Sequence, residues 1–171
     1  MALPKEYSTQ GCSLSRSLEV VGERWTLLIV RDAFYGVHRF GDFADHLGIP
    51  RAVLAERLKE LVERGVLAKS DEGAGRTRYE LTESGRELWP IVFGLIRWGD
   101  KNFATDGEPR LFEHAEDGGR LAADLTCEVC HRHVEVEDIQ AVPGPGVAKP
   151  AEADAVHAAL QTPHRLLQPL P

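Results

Sequence analysis

The chain has 171 residues, of which 43% are hydrophobic and 27% charged, and its formal net charge is −7. That length suits one domain with room for an appendage, and the apolar fraction excludes a wholly disordered chain. The longest apolar run, Trp25 to Val30, falls far short of the ~20 residues that a membrane helix needs.

In chain order, "MALPKEYSTQ" has no basic-then-apolar leader, so export is not expected and a cytoplasmic location is. Residues 1–11 read as an N-terminal arm. "SLSRSLEVV" sets Leu14, Leu18 and Val21 on one helical stripe, and Gly22 interrupts it. "RWTLLIVRDAFYG" is apolar on most faces and reads as a central buried helix ended by Gly36. "RFGDFADHLG" predicts a short helix with Phe40, Phe43 and Leu47 inward. Gly48 then permits a turn, and Pro50 suits the first position of the next helix. In "RAVLAERLKELVERG" the leucines 54, 58 and 61 form one stripe and Gly65 stops the helix.

The period then changes from about 3.6 to 2. "GVLAKS" and "TRYELT" predict two short strands around the polar link "DEGAG". Thr82 or Ser84 can cap the helix that follows, and Ser84 with Glu87 has capping-box spacing. "ELWPIVFGLIRWGDKNF" predicts a long helix that is apolar on more than one face, with Pro90 kinking it or marking its first turn. Two apolar faces need two things to bury against: the helix's own domain and a second copy of the chain.

The character changes at Ala104. Residues 104–142 predict a small β-rich, zinc-ribbon-like unit in which "HVEVEDI" alternates as a strand, and residues 143–171 read as a flexible tail with one short helix in "AEADAVHAALQ". Residues 1–103 hold 15 Lys+Arg against 15 Asp+Glu, and residues 104–171 hold 5 against 12. All of the net acidity is C-terminal, so the first part can still present a basic face to nucleic acid.

The fold class expected is mainly α with a β-hairpin wing over residues 12–103, followed by the β-rich appendage and tail. Helix, tight turn, helix and hairpin make a winged helix-turn-helix, and a major groove admits one α-helix. With the leucines inward, the helix from Arg51 turns Ala52, Ala55, Glu56, Lys59 and Glu63 outward. Arg51 stands at the N-terminal end, where backbone N–H groups favour phosphate. Arg57 falls beside the apolar stripe and suits structure or a phosphate. In the hairpin, Arg76 and Arg78 are candidate phosphate or minor-groove contacts. A mixed-charge helix such as "ERLKELVERG" can equally be a solvated face.

"LTCEVCHRHV" supplies Cys127 and Cys130 at C-x-x-C spacing. A structural zinc site needs four donors; His114 is a third, and His131 or His133 could complete the set. Three cysteines form no disulfide framework. No Ser/His/Asp set, phosphate loop or paired-carboxylate motif stands out, so no enzyme is expected and no cofactor is required.

"GERWTLLIVRD", "RFGDF", "LAERLKELVERGVL", "YELTESGREL" and "WGD", in that order across residues 10–103, resemble the HxlR family of bacterial transcriptional regulators, which is allied to the MarR regulators. The resemblance implies a homodimer with terminal helices at the interface, binding an inverted-repeat operator in double-stranded DNA, most simply as a repressor. It also implies that the cysteine at the position of Cys12 senses oxidants or electrophiles in several relatives; the competing reading of Cys12 is a small residue packing the first helix. Ala52 stands where many relatives carry a polar residue, and "DEGAG" is acidic where relatives often carry Pro and Arg. Some relatives carry H-x-x-C-G…C-x-x-C, which lays Asp117 on a cysteine and gives the ligand set His114, Asp117, Cys127 and Cys130, either zinc-loaded or a metal-free remnant. A small-molecule effector is a further expectation. The alternative function is a winged-helix protein-interaction module that has lost specific DNA binding.

Overall fold

A computed structural model describes residues 11–73, 75–147 and 154–170. The N-terminal arm therefore lies outside the described residues, apart from Gly11.

Six helices and a hairpin make up the first part: α1 (Ser13–Val21), α2 (Thr26–Phe34), α3 (Phe40–Leu47), α4 (Arg51–Glu63), β1 (Leu67–Asp71), β2 (Thr77–Leu81), α5 (Glu83–Arg86) and α6 (Trp89–Phe103). Glycines end three of these helices as expected. Gly36, Gly48 and Gly65 all have positive φ (84°, 59° and 73°), a region that costs an L-side chain its Cβ clearance. Pro50 sits one residue earlier than expected, as the N-cap of α4, and Arg51 takes the first helical position.

The helix after the hairpin is split. Thr82 is its cap, its hydroxyl oxygen accepting from the Gly85 N–H at 3.1 Å, so the capping box expected at Ser84 does not form. Pro90 lies in the first turn of α6, where its missing N–H costs nothing. β1 and β2 pair antiparallel with Leu67 opposite Leu81, and Arg39 bridges to Arg78 as a one-residue third strand.

The core of this half is the expected leucine and aromatic set: Ile29, Phe34, Phe43, Leu54, Leu58 and Leu61 are all essentially unexposed. One buried carboxylate sits among them. Asp32 is 0% exposed. It accepts from Arg31 Nη2 at 2.7 Å and Nε at 3.0 Å, and its other oxygen lies 2.7 Å from His46 Nδ1. That pairing ties α2 to the last turn of α3.

The C-terminal part is a three-stranded antiparallel sheet of β3 (Arg110–His114), β4 (Ile139–Pro143) and β5 (His164–Arg165), with β4 in the centre. The alternating "HVEVEDI" is not the strand: Val136–Asp138 form a 3-10 turn, and β4 starts at Ile139. Alternation there reflects a turn on the surface rather than a sheet face. The sheet is not a detached appendage. Phe112 of β3 packs against Trp89 and Phe93 of α6, with ring centroids 5.3 and 5.6 Å apart, and Trp89 packs on Phe34 at 5.0 Å.

Residues 154–170 are not a loose tail. Helix α7 (Ala155–Ala159) is capped by Asp154, whose carboxylate accepts from the His157 N–H at 2.8 Å, and it packs on α3. Val156, Leu160 and Leu166 are buried. Leu166 N–H donates to Ile139 O at 2.9 Å, and Leu167 N–H to Phe34 O at 2.7 Å. Proline content concealed these three apolar anchors, each of which removes surface from water at about 25 cal/mol per Å².

Because Asp32 is buried with two partners, removing it leaves the partly covered guanidinium of Arg31 and imidazole of His46 without their acceptor. Asp32→Ala is expected to lose about 3–5 kcal/mol of unfolding free energy, read by urea denaturation. A loss comparable to that of an exposed carboxylate would show that the α2–α3 tie is not held by this charge.

Candidate functional site

Two sites take shape. The first is the outer face of α4. Gly48 and Pro50 turn the chain sharply after α3, and Leu54, Leu58 and Leu61 anchor α4 on the core. Arg51, Ala52, Ala55, Glu56 and Lys59 consequently share one exposed face. Arg51 lies 4.0 Å from Asp45, and its guanidinium stands 5.7 Å from the centre of the Phe40 ring. Lys59 faces Glu63 one turn on, at 3.6 Å, both strongly exposed. Pairs of this kind contribute only a few tenths of a kcal/mol, about 0.3–0.5, so the lysine is readily diverted to another anion.

Arg57 takes the structural side of its two readings. It is 7% exposed and pairs with Glu60, Glu56 at 3.6 Å and Glu23 at 3.7 Å. The Glu23 contact fastens α4 to the turn before α2.

The hairpin arginines differ from one another. Arg76 is exposed. Arg78 is largely covered, donating to Glu80 at 2.9 Å and to Glu72 at 3.3 Å, so two carboxylates of the hairpin already neutralise it. Sequence reasoning missed Arg39. It caps α3, is exposed, and stands beside the hairpin through its bridge to Arg78; among the described residues no carboxylate pairs with it. The signal was present as an arginine directly before the first apolar residue of "RFGDF".

The second site joins four side chains that sequence order separates. His114 ends β3, and the "EDGG" turn brings Asp117 back beside it, with Gly118 at φ 71°. A turn at Cys127–Cys130 faces them. One ligand atom from each of His114, Asp117, Cys127 and Cys130 lies within 4.8 Å of all the others, a group that could hold a metal ion. His114 Nδ1 is 3.1 Å from Asp117 Oδ2 and 3.6 Å from Cys130 Sγ, while the Cys127 thiol donates to Asp117 Oδ1 at 3.3 Å. His131 and His133 stand outside the group and are exposed.

The surroundings suit a ligand set. The Gly119 N–H donates to Asp117 at 2.9 Å, and this bond holds the carboxyl well below the usual carboxylate range. Burial opposes protonation of His114, but the hydrogen bond and charge of Asp117 outweigh it and raise the imidazole. Burial pushes the Cys127 thiol up, although Val129 N–H points at its sulfur from 3.4 Å. Cys130 is lowered, chiefly by the backbone N–H of Arg132. His114 Nε2 lies 3.6 Å from Glu116, itself held by Arg132 at 2.9 Å, the carboxylate–imidazole arrangement that orients metal-bound histidines. A Cβ on Gly119 would run into Cys127 Sγ, so the cluster requires glycine there.

Cys12, the third cysteine, is exposed at the N-cap of α1, remote in sequence from the cluster, and is a free thiol like the other two.

A helix-turn-helix with a β-hairpin wing, its second helix exposed and basic at the N-terminal end, defines a DNA-binding regulator of the winged helix-turn-helix class. The profile of the HxlR-like helix-turn-helix family matches residues 20–106, half of the chain, and the chain belongs to that family. An uncharacterized HTH-type transcriptional regulator of Mycobacterium tuberculosis (strain CDC 1551 / Oshkosh) is 41% identical over 140 residues, covering 80% of this chain and 89% of the relative. The crystal structure of the candidate transcription factor PA1607 is similar with a TM-score of 0.58 at 37% identity, over 70% of this chain and 95% of that one. The reduced form of the redox regulator HypR is similar with a TM-score of 0.50 at 29% identity, over 53% of this chain and 93% of that one. The family is one of transcriptional regulators rather than enzymes. Among the described residues no helix is long and apolar enough to cross a membrane.

Proposed function

We propose that this chain is a homodimeric repressor that reads an inverted-repeat operator with the outer face of α4. The observation that carries the reading is that face itself: Arg51, Ala52, Ala55, Glu56 and Lys59 stand exposed together above an anchored leucine stripe. Arg51 and Lys59 reach phosphate or guanine, Glu56 accepts from a cytosine amino group, and the two alanines contact thymine methyls. Arg76 and Arg39 supply backbone contacts on the hairpin side. Arg78, already neutralised by Glu72 and Glu80, supplies the weakest of these contacts.

The second copy has an apolar surface to cover. Leu14 and Leu18 of α1, and Ile91, Leu95 and Trp98 of α6, are exposed large hydrophobic residues on the two terminal helices of the DNA-reading half. Large apolar side chains left exposed in this number are costly in a monomer. The protein-interaction alternative is favoured by the acidity of residues 104–171 and by the acidic hairpin link "DEGAG"; the first of these lies outside α4 and the hairpin.

The cluster of His114, Asp117, Cys127 and Cys130 fits zinc. Two sulfurs, one imidazole nitrogen and one carboxylate oxygen make a four-donor set of the types that zinc takes, and zinc there locks the "EDGG" turn to the cysteine turn. Cys12 is a second control point: an exposed thiol at a helix N-terminus, in a chain similar to a protein described as a redox regulator. Oxidation of Cys12 at the start of α1 shifts the dimer between DNA-competent and incompetent arrangements.

Duplexes selected from a random pool supply the operator. Lys59→Ala is then expected to weaken binding and to lower the salt dependence by roughly one phosphate contact. Unchanged affinity and slope in the variant would remove α4 as the reading face. Metal analysis of protein purified without a histidine tag is expected to find one zinc per chain, absent in Cys127→Ser and weakened in Gly119→Ala; metal-free wild-type protein would make the cluster a remnant. Operator binding by Cys12→Ser is expected to persist in peroxide or a quinone that releases the wild-type protein. Equal release of both proteins would eliminate Cys12 as the sensor.

A further inference from the structure

A cleft lies between the DNA-reading half and the C-terminal unit, with a volume of about 690 Å³, within the range of small-molecule sites. One wall is α5 and the first turn of α6, which follow directly from the hairpin. The other is Leu125 together with His133–Glu137, the strands of chain that enter and leave the cysteine turn. Val134 N–H donates to Leu125 O at 3.0 Å and Cys127 N–H to Arg132 O at 2.9 Å, so this wall is the back of the metal cluster.

The chemistry of the lining is uneven. Trp89, Pro90, Leu125 and Val134 supply apolar surface at the base. Glu83, Glu87, Glu135 and Glu137 place four carboxylates around it against the imidazole of His133 and one guanidinium, Arg86, which pairs with Glu137 at 3.1 Å.

We propose that this cleft binds a small organic cation: a protonated amine on an apolar body. The carboxylates select the charge, and the apolar base takes the body. Anions and neutral analogues of the same shape are disfavoured by the surplus of negative charge. A ligand here touches the helix behind the hairpin and the back of the cysteine turn together. Its action as the effector rests on the regulatory reading above; the binding does not.

The test uses the full chain and three fluorescent probes of one shape: monodansylcadaverine, its N-acetylated neutral form, and dansyl-6-aminohexanoate. One saturable site per chain is expected for the amine, with affinity about tenfold or more above the neutral probe and the anion weakest, as a screened interaction with carboxylates a few ångströms away allows. Combined Glu87→Gln and Glu135→Gln, both at exposed positions, are expected to lower amine affinity severalfold without changing the circular dichroism. Glu63→Gln, on the exposed face of α4, leaves it unchanged. Absence of saturation, equal binding of the three probes, or indifference to the paired substitutions overturns the site. Saturable, charge-selective binding that leaves operator affinity unchanged keeps the site and overturns only the effector role.

Discussion

The carboxylate of Asp32 is the constraint on which the DNA-reading half depends. It is wholly buried, and it is shared by Arg31 on its own helix and His46 on the next. Such a pair adds little stability over a well-packed apolar pair of the same volume. What it fixes is orientation. A leucine in the same place would let α3 slide along α2; a carboxylate with two partners accepts one register. The turn at Gly48 and Pro50 then transmits that register to α4, and the Arg57–Glu23 contact closes the loop back to the start of α2. The position of the exposed face of α4 is thus inherited from a carboxyl group that never meets solvent.

The C-terminal sixty or so residues extend the same core instead of hanging from it. Phe112 enters the aromatic group of Phe34, Trp89 and Phe93, and the last residues of the described chain run back to hydrogen-bond at Phe34 and Gly36. A Cβ at Gly36 would collide with the Gln168 carbonyl, so that glycine serves both to end α2 and to admit the returning chain. The C-terminal unit is therefore in contact with α2 and α6 of the first part. The net acidity belongs to residues 104–171, with 5 Lys+Arg against 12 Asp+Glu, whereas residues 1–103 hold 15 against 15.

The cluster gathers one carboxylate, one imidazole and two thiols, and the turn that carries Asp117 aims the Gly119 N–H at the carboxylate. Glu116, the neighbouring acid, takes the outer side of His114. Two adjacent acids thus face one imidazole from two directions, one within the group of donors and one outside it.

Much of this was legible in the residues. The leucine spacing of α4, the glycines at 36, 48 and 65, and the change of period at the hairpin are local signals, because i, i+3, i+4 and i, i+2 neighbours meet through the geometry of one element alone. The outward set on α4 followed from the same short-range logic, whereas the grouping of His114, Asp117, Cys127 and Cys130 came from the resemblance to relatives that carry H-x-x-C-G…C-x-x-C. What tertiary structure alone decided was everything set by contacts distant in sequence: that Arg78 is taken by Glu72 and Glu80, that Arg57 reaches Glu23, that the proline-rich end buries Val156, Leu160 and Leu166, and that a cleft opens between Trp89 and Val134. Composition reports how much apolar surface a segment has. Only packing determines which surface of another segment covers it.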